Sequence, residues 1–362
     1  MSIDPVIQRI QAEVKAAAAK PSSQPAQWRA EALRLDQLMA AEAYGQPAAV
    51  ETEDVFIDPP GLPRLRLRLY HPPADRTPTD GGADANDPDG GPTADQPGGP
   101  SDRRGAYLGF FGGAFRQGGL DFPSVDWTWR ERARRSGSLV VGVDYALAPE
   151  HPYPTAVEQG HAALEWLAGQ ADRWRVDPDR LVIGGLSSGG NLAAAVALMA
   201  RDRGGPRLAL QILEVPALDL TGRHLDLAAA RGLGAPGFLI KFGLRVVAKT
   251  YLGPRAAQLA RQPYASPLLA DDLAGLPPSL ILTAEHDILR GDGLAYADRL
   301  RRAGVDATAL VYTGQTHESS VFTRVLPSAR HWQGVVNQAL AACSNTNHPR
   351  TSCATFSRES TL

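Results

Sequence analysis

The chain has 362 residues, with Lys+Arg 37 against Asp+Glu 39 and a formal net charge of −2. That length fits one large α/β domain with insertions, or two small ones. The near-neutral balance argues against a nucleic-acid or other polyanionic partner.

Asp4 and Pro5 come early, and no apolar core of about 7–15 residues follows, so the N-terminus does not read as a signal peptide. No apolar run approaches the roughly 20 residues of a membrane span. The expectation is a cytoplasmic protein with no membrane contact. Residues 3–44 read as two helices broken around Lys20-Pro21-Ser22-Ser23. Ile3, Val6, Ile7, Ile10 and Val14 make one apolar stripe. Trp28, Leu33, Leu35, Leu38 and Met39 give the second helix its apolar side. Placed ahead of a sheet, residues 1–50 are expected to form a helical cap.

Val55-Phe56-Ile57 and Leu65-Arg66-Leu67-Arg68-Leu69-Tyr70 flank a turn at Pro59-Pro60-Gly61. The Leu/Arg alternation has the period of a half-exposed strand, so the pair reads as an antiparallel hairpin at a sheet edge. Ala74 to Arg104 is Asp, Gly, Pro and Thr with almost nothing apolar. It cannot bury enough surface to offset its ordering entropy, and it is expected to be a disordered insert.

Strand-like and helix-like segments then alternate. Strands are expected at Ala106–Phe111, Leu139–Asp144, Leu181–Gly184, Leu208–Leu213, Ser279–Thr283 and Thr308–Tyr312. Helices are expected at Val125–Arg135, Ala156–Ala171, Asn191–Arg201, Asp292–Ala303 and Ser328–Ala341. The alternation argues for an α/β fold with a mostly parallel sheet covered on both faces. The charge run Arg130–Arg135 reads as a solvated helix face. A second cap insertion is expected near 225–255, with a helix in Gly232–Tyr251. The catalytic domain would span 51–343, and 344–362 reads as a loose tail. Cys343 and Cys353 are the only cysteines, so no disulfide framework or cysteine metal site follows. No cofactor or metal is called for.

Gly185-Leu186-Ser187-Ser188-Gly189 lies between the apolar run Leu181–Gly184 and a small-residue helix. A G-x-S-x-G in a strand–turn–helix lifts its serine onto a sharp turn with the hydroxyl exposed. A serine nucleophile needs a base, a group orienting that base, and oxyanion donors. Of the histidines beyond Ser187, His348 falls in the tail and His331 inside a helix. His224 has no strand before it. His286 and His317 both follow strands, where ligands bind in open α/β folds. His317 has Asp287 upstream, itself just after a strand. His286 would need an earlier acid. The assignment is Ser187–Asp287–His317. Oxyanion donors are sought in Phe111-Gly112-Gly113-Ala114-Phe115, a glycine-rich turn after an early strand.

The segment Gly185-Leu186-Ser187-Ser188-Gly189-Gly190-Asn191 resembles the G-D-S-A-G-G-N nucleophile turn of the hormone-sensitive-lipase-like esterases within the α/β-hydrolases. Asp144-Tyr145-Ala146-Leu147-Ala148-Pro149-Glu150-His151-Pro152-Tyr153-Pro154 resembles that family's D-Y-R-L-A-P-E-H-P-F-P block, with Ala146 in place of Arg. Ala265-Ser266-Pro267-Leu268, Leu276-Pro277-Pro278 and Glu285 to Gly293 match as well. The resemblance runs from about Val55 to the final helix. It implies an α/β-hydrolase fold with an N-terminal helical cap and the triad Ser187, Asp287, His317. The backbone N–H groups of Gly113, Ala114 and Ser188 would be the oxyanion donors.

The chain departs from the family at Phe111 and Ala114, where H-G-G-G is usual, and at Glu318, which replaces the glycine after the base. The function implied is a serine hydrolase cleaving carboxylic esters of short or medium acyl groups, or acetylated small molecules, through an acyl-enzyme. The alternative is a non-hydrolytic descendant of the fold, a lyase, cyclase or ligand-binding protein. The partner expected is a small-molecule ester, and the fold is compatible with a homodimer.

Overall fold

The computed structural model describes residues 2–19, 22–73, 103–229 and 237–344. The expected insert, up to residue 102, and the tail from 345 lie outside these residues. Two of the expected boundaries move. Arg104 already opens a strand, and Ser344 still belongs to the last helix.

An eight-stranded sheet organises the described residues: β1 (Glu51–Ile57), β2 (Leu65–His71), β3 (Arg104–Phe110), β4 (Leu139–Asp144), β5 (Val176–Leu186), β6 (Leu210–Glu214), β7 (Ser279–His286) and β8 (Ala307–Thr316). The strand order is β1-β2-β4-β3-β5-β6-β7-β8. β1 and β2 pair antiparallel, and β2 runs antiparallel to β4. From β4 to β8 every pairing is parallel. The inner strands β3, β4 and β6 are buried almost throughout, as a sheet covered on both faces requires.

The hairpin follows its alternation. Leu65, Leu67 and Leu69 face the core. Arg66 and Arg68 point the other way and meet carboxylates: Asp144 and Asp121 for Arg66, Asp54 for Arg68.

Helices α3 (Pro123–Ser136), α4 (Thr155–Gly169), α5 (Ser188–Arg203), α8 (Arg290–Arg302) and α9 (Pro327–Ser344) cover the sheet. α5 is buried from Ser188 to Ala200, and its alanine-rich face lets it lie close to β5 and β6. Between β6 and β7 the chain forms α6 (Gly237–Leu252) and the short α7 (Ala256–Leu259).

The N-terminal pair is α1 (Pro5–Ala17) and α2 (Pro25–Ala43). Asp4 caps α1 by accepting the Val6 N–H at 2.8 Å, and Pro5 takes the first helical position. Ile3, Ile7 and Ile10 are buried as the stripe predicts. They pack with Ala40, Ala43, Tyr44, Phe322, Leu326 and Ala329 into a cluster separate from the main core. α2 differs from expectation: Leu38 is exposed, and the buried residues are Asp36, Ala40 and Ala43. Polar partners explain it. Asp36 accepts the Tyr44 hydroxyl at 2.7 Å and the Ser124 N–H at 3.0 Å.

The Arg130–Arg135 run is only partly a solvated face. Arg132 is 3% exposed. Its guanidinium pairs with Glu214 at the end of β6 and donates to the Tyr107 hydroxyl at 2.9 Å. Trp332 of α9 donates to the other Glu214 oxygen at 2.7 Å. A buried charge pair welds α3, β6 and α9 together.

Candidate active site

The carboxyl ends of β5, β6, β7 and β8 share one edge of the sheet, and the expected site residues gather there. β5 ends at Leu186 and α5 begins at Ser188. The reversal falls on Ser187 alone, at φ 57° and ψ −116°. A non-glycine residue rarely adopts positive φ, and the turn holds it there. The Ser187 N–H donates to the Glu214 carbonyl at 2.8 Å, and its carbonyl accepts from Ala217 at 3.2 Å. Gly189 is required because a Cβ there would lie 2.1 Å from the Phe110 carbonyl oxygen. Asn191 ties down the adjacent loops by donating to Ala217 and Ala265 carbonyls at 2.7 and 2.9 Å.

β7 delivers Asp287 and β8 delivers His317. His317 Nδ1 lies 2.8 Å from Asp287 Oδ2, and His317 Nε2 lies 2.8 Å from Ser187 Oγ. A carboxylate only accepts, so Nδ1 carries the proton and Nε2 presents its lone pair to the serine hydroxyl. Asp287 is buried, and its Oδ1 accepts the Leu289 N–H at 2.9 Å, which fixes the carboxylate plane. Burial alone would push the His317 imidazole down. Asp287, with a smaller contribution from Glu318, outweighs it, and the pKa is raised above its usual 6.5.

The turn after β3 lies against the serine. A Cβ on Gly112 would sit 3.4 Å from that of Ser187. Gly113 has φ +138°, and a Cβ there would meet the Gln117 carbonyl oxygen at 1.9 Å. Ala114 and Phe115 follow at φ 54° and 61°. Ala114, Ser187 and Ser188 line one cavity, and Gly113 directly precedes Ala114 in the same turn. Ser188 is the first residue of α5, so its N–H has no partner within the helix.

Phe111, which stands where the resembling family has histidine, is braced by apolar contact. Its ring stacks on Tyr145 at 4.2 Å between centroids and 14° between planes. The Tyr145 hydroxyl in turn donates to the Phe111 carbonyl at 2.9 Å. Further along, the Ala148 N–H donates to the Phe115 carbonyl at 3.0 Å. Arg29 of α2 clamps both loops by donating to the Arg116 and Ala148 carbonyls at 2.8 Å each.

The cavity has a volume of about 690 Å³. Its walls include Leu220, Leu225, Leu244 and Ile288, with Gln11 contributed by α1. His286 also lines it, but its Nε2 has no hydrogen-bond partner among the described residues. His224 pairs elsewhere, with Nδ1 2.8 Å from Asp219.

Two buried acids were not singled out from the sequence. Asp219 holds the loop after β6 through Thr221, Arg223 N–H and His224. Burial pulls its pKa up, and these bonds more than offset it, leaving the pKa low. Asp292 accepts the Leu218 and Asp219 N–H groups at 2.8 and 2.9 Å. Burial pushes its pKa up to about 8. Only its place in the Glu285–Gly293 match hinted at it. Among the described residues no group of His, Cys, Asp and Glu is arranged to hold a metal ion.

A central parallel sheet with a serine, a histidine and an aspartate at its carboxyl edge defines the α/β-hydrolase class. A family model described as alpha/beta hydrolase fold matches residues 107–320. The chain belongs to that family, in its hormone-sensitive-lipase-like branch. It is 36% identical over 326 residues to a protein of Mycobacterium tuberculosis (strain CDC 1551 / Oshkosh) named carboxylesterase NlhH, covering 87% of this chain and 88% of the relative. It is 35% identical over 214 residues to an arylesterase of Saccharolobus solfataricus, covering 59% of this chain and 67% of that one. Among solved structures, a hyperthermophilic esterase from the archaeon Pyrobaculum calidifontis superposes with a TM-score of 0.77 at 31% identity. That match covers 94% of this chain and 98% of the other.

Proposed function

We propose that the protein is a serine carboxylic-ester hydrolase in which Ser187, His317 and Asp287 form the triad. The observation that carries this is the unbroken line Asp287 Oδ2–His317 Nδ1, His317 Nε2–Ser187 Oγ, with both contacts at 2.8 Å. The esterase names of the relatives support the same activity. Ser187 Oγ attacks the acyl carbonyl while His317 Nε2 takes its proton. Asp287 holds the imidazole in the required tautomer and stabilises the imidazolium. The N–H groups of Gly113, Ala114 and Ser188 receive the oxyanion. His317 then returns the proton to the leaving alcohol. Water, activated by the same imidazole, cleaves the acyl-enzyme. The substrate is a small-molecule ester of a short or medium acid, or an acetylated small molecule.

α1, α2 and the 225–255 segment act as the cap over a domain spanning about 51–343. Gln11 and the α6 residues on the cavity wall support that division. No helix among the described residues is long and apolar enough to cross a membrane. We place the protein in the cytoplasm, and a homodimer would pair through an edge of the sheet or through a late helix.

A fluorophosphonate probe tests the assignment. The wild type should be labelled at Ser187 and should hydrolyse p-nitrophenyl acetate. Ser187→Ala should lose the label and at least about 10³-fold of kcat, because the nucleophile itself is gone. Full activity in Ser187→Ala would overturn the assignment.

A further inference from the structure

We propose that the cavity selects esters that carry a carboxylate at the end remote from the scissile bond; this rests on the esterase reading above. Arg223, Lys241 and Arg245 all line the cavity. None of the three forms an ion pair among the described residues. Lys241 and Arg245 are one turn apart on α6, whose sequence contains no Asp or Glu to neutralise them. Arg223 faces the same space from the loop after β6. Its backbone is held by its own N–H, which donates to buried Asp219 at 3.1 Å.

The acids on the wall do not cancel these cations. Asp219 is occupied by Thr221, the Arg223 N–H and His224, and Asp287 by His317. Glu318 remains, and it is adjacent in the chain to His317. The site is therefore polarised. Glu318 stands next to the catalytic histidine, Lys241 and Arg245 stand on α6 with no acid on that helix, Arg223 stands on the loop after β6 beside the already engaged Asp219, and leucines such as Leu220, Leu225 and Leu244 line the wall. An ester with a hydrocarbon spacer and a terminal carboxylate matches that order. In the reverse orientation its charge would lie beside Glu318.

The cations are solvent-accessible, so each is worth a factor of about 1.4 to 5, or about tenfold for the three together. Their reach is limited by a Debye length of about 10 Å at 0.1 M salt, so the preference should shrink as salt rises.

The test compares kcat/KM for mono-p-nitrophenyl adipate with that for its neutral methyl ester. A parallel arm uses 4-acetoxybenzoate and its methyl ester, placing the carboxylate on the alcohol half. Wild type should favour the charged member of at least one pair by about tenfold at low salt. The triple variant Arg223→Gln/Lys241→Gln/Arg245→Gln should abolish that preference while keeping kcat/KM on the neutral esters. Lys249→Gln, on α6 but off the cavity wall, should behave as wild type. The arm that responds identifies which half carries the charge. No preference in either arm, or a preference that survives the triple change, overturns the proposal. Failure of the esterase reading would look different: neither member of either pair would be turned over.

Discussion

Replacing Phe111 tests whether stacking, rather than hydrogen bonding, holds the proposed oxyanion turn. The ring is 2% exposed and lies flat on Tyr145. Phe111→Ala should cost about 3–5 kcal/mol of stability for the buried ring and the cavity left behind. About 0.5–1.5 kcal/mol of that belongs to the aromatic pair. The turn should loosen without losing a donor outright, since the Tyr145 hydroxyl still reaches the backbone carbonyl of residue 111. Loss of a whole donor costs about 10²–10³ in kcat, so a smaller fall, about tenfold, is expected. Phe111→His is the sharper probe. The carbonyl at 111 already accepts from Tyr145, and a buried imidazole without a partner costs about 1–3 kcal/mol. Restoring the family's histidine should therefore lower the melting temperature and leave kcat flat or reduced. The assay is kcat on p-nitrophenyl butyrate well below the melting temperature, with thermal melts on each variant. A threefold or greater rise in kcat for Phe111→His at unchanged stability would refute the stacking argument.

The acidic limb of kcat/KM should lie above pH 6.5, because a raised His317 pKa means protonation, and loss of the base, begins higher as pH falls. Asp287→Asn removes the largest upward pull and leaves burial in charge, so the limb should shift down as kcat collapses; a pH profile from 5 to 9 reads both. By linkage, protonated His317 stabilises the fold fully below pH 6.5, and that contribution fades as pH rises through the folded-state value. Glu214→Ala should cost about 3–5 kcal/mol in urea unfolding, since it strands the Arg132 guanidinium inside the core. The folded variant should keep kcat within a few-fold, because Ser187 bonds only the Glu214 main chain.

What could be read in the sequence was whatever local spacing encodes. Leu65, Leu67 and Leu69 alternate with period two, and a strand edge followed. The glycines around Ser187 announce a turn that only a small residue fits. Chain order separated His317 from His286. What escaped depends on partners distant in sequence. Arg132 sits in a run of charged helix residues, and its buried partner is 82 positions away. Asp36 of α2 is buried only because Tyr44 and Ser124 satisfy it, so Leu38 was the wrong guide. The cations of α6 carry no signal in the sequence beyond a cap-like helix, because only the folded chain sets Lys241 and Arg245 on the cavity wall.

The apolar cluster beneath α1 and α2 stands apart from the core that packs the sheet, and Phe322, Leu326 and Ala329 belong to it. These residues follow His317 in the chain, and Asp4 is tied to the Gly314 carbonyl just before it. The N-terminal helices and the loop after His317 therefore share one small cooperative unit. Such a unit opens at lower free energy than the sheet. On warming, amide exchange in residues 3–17 and 317–329 should quicken first, and ester turnover should fade while the far-ultraviolet signal of the sheet is still intact. Heat would disarm this protein before it unfolds it.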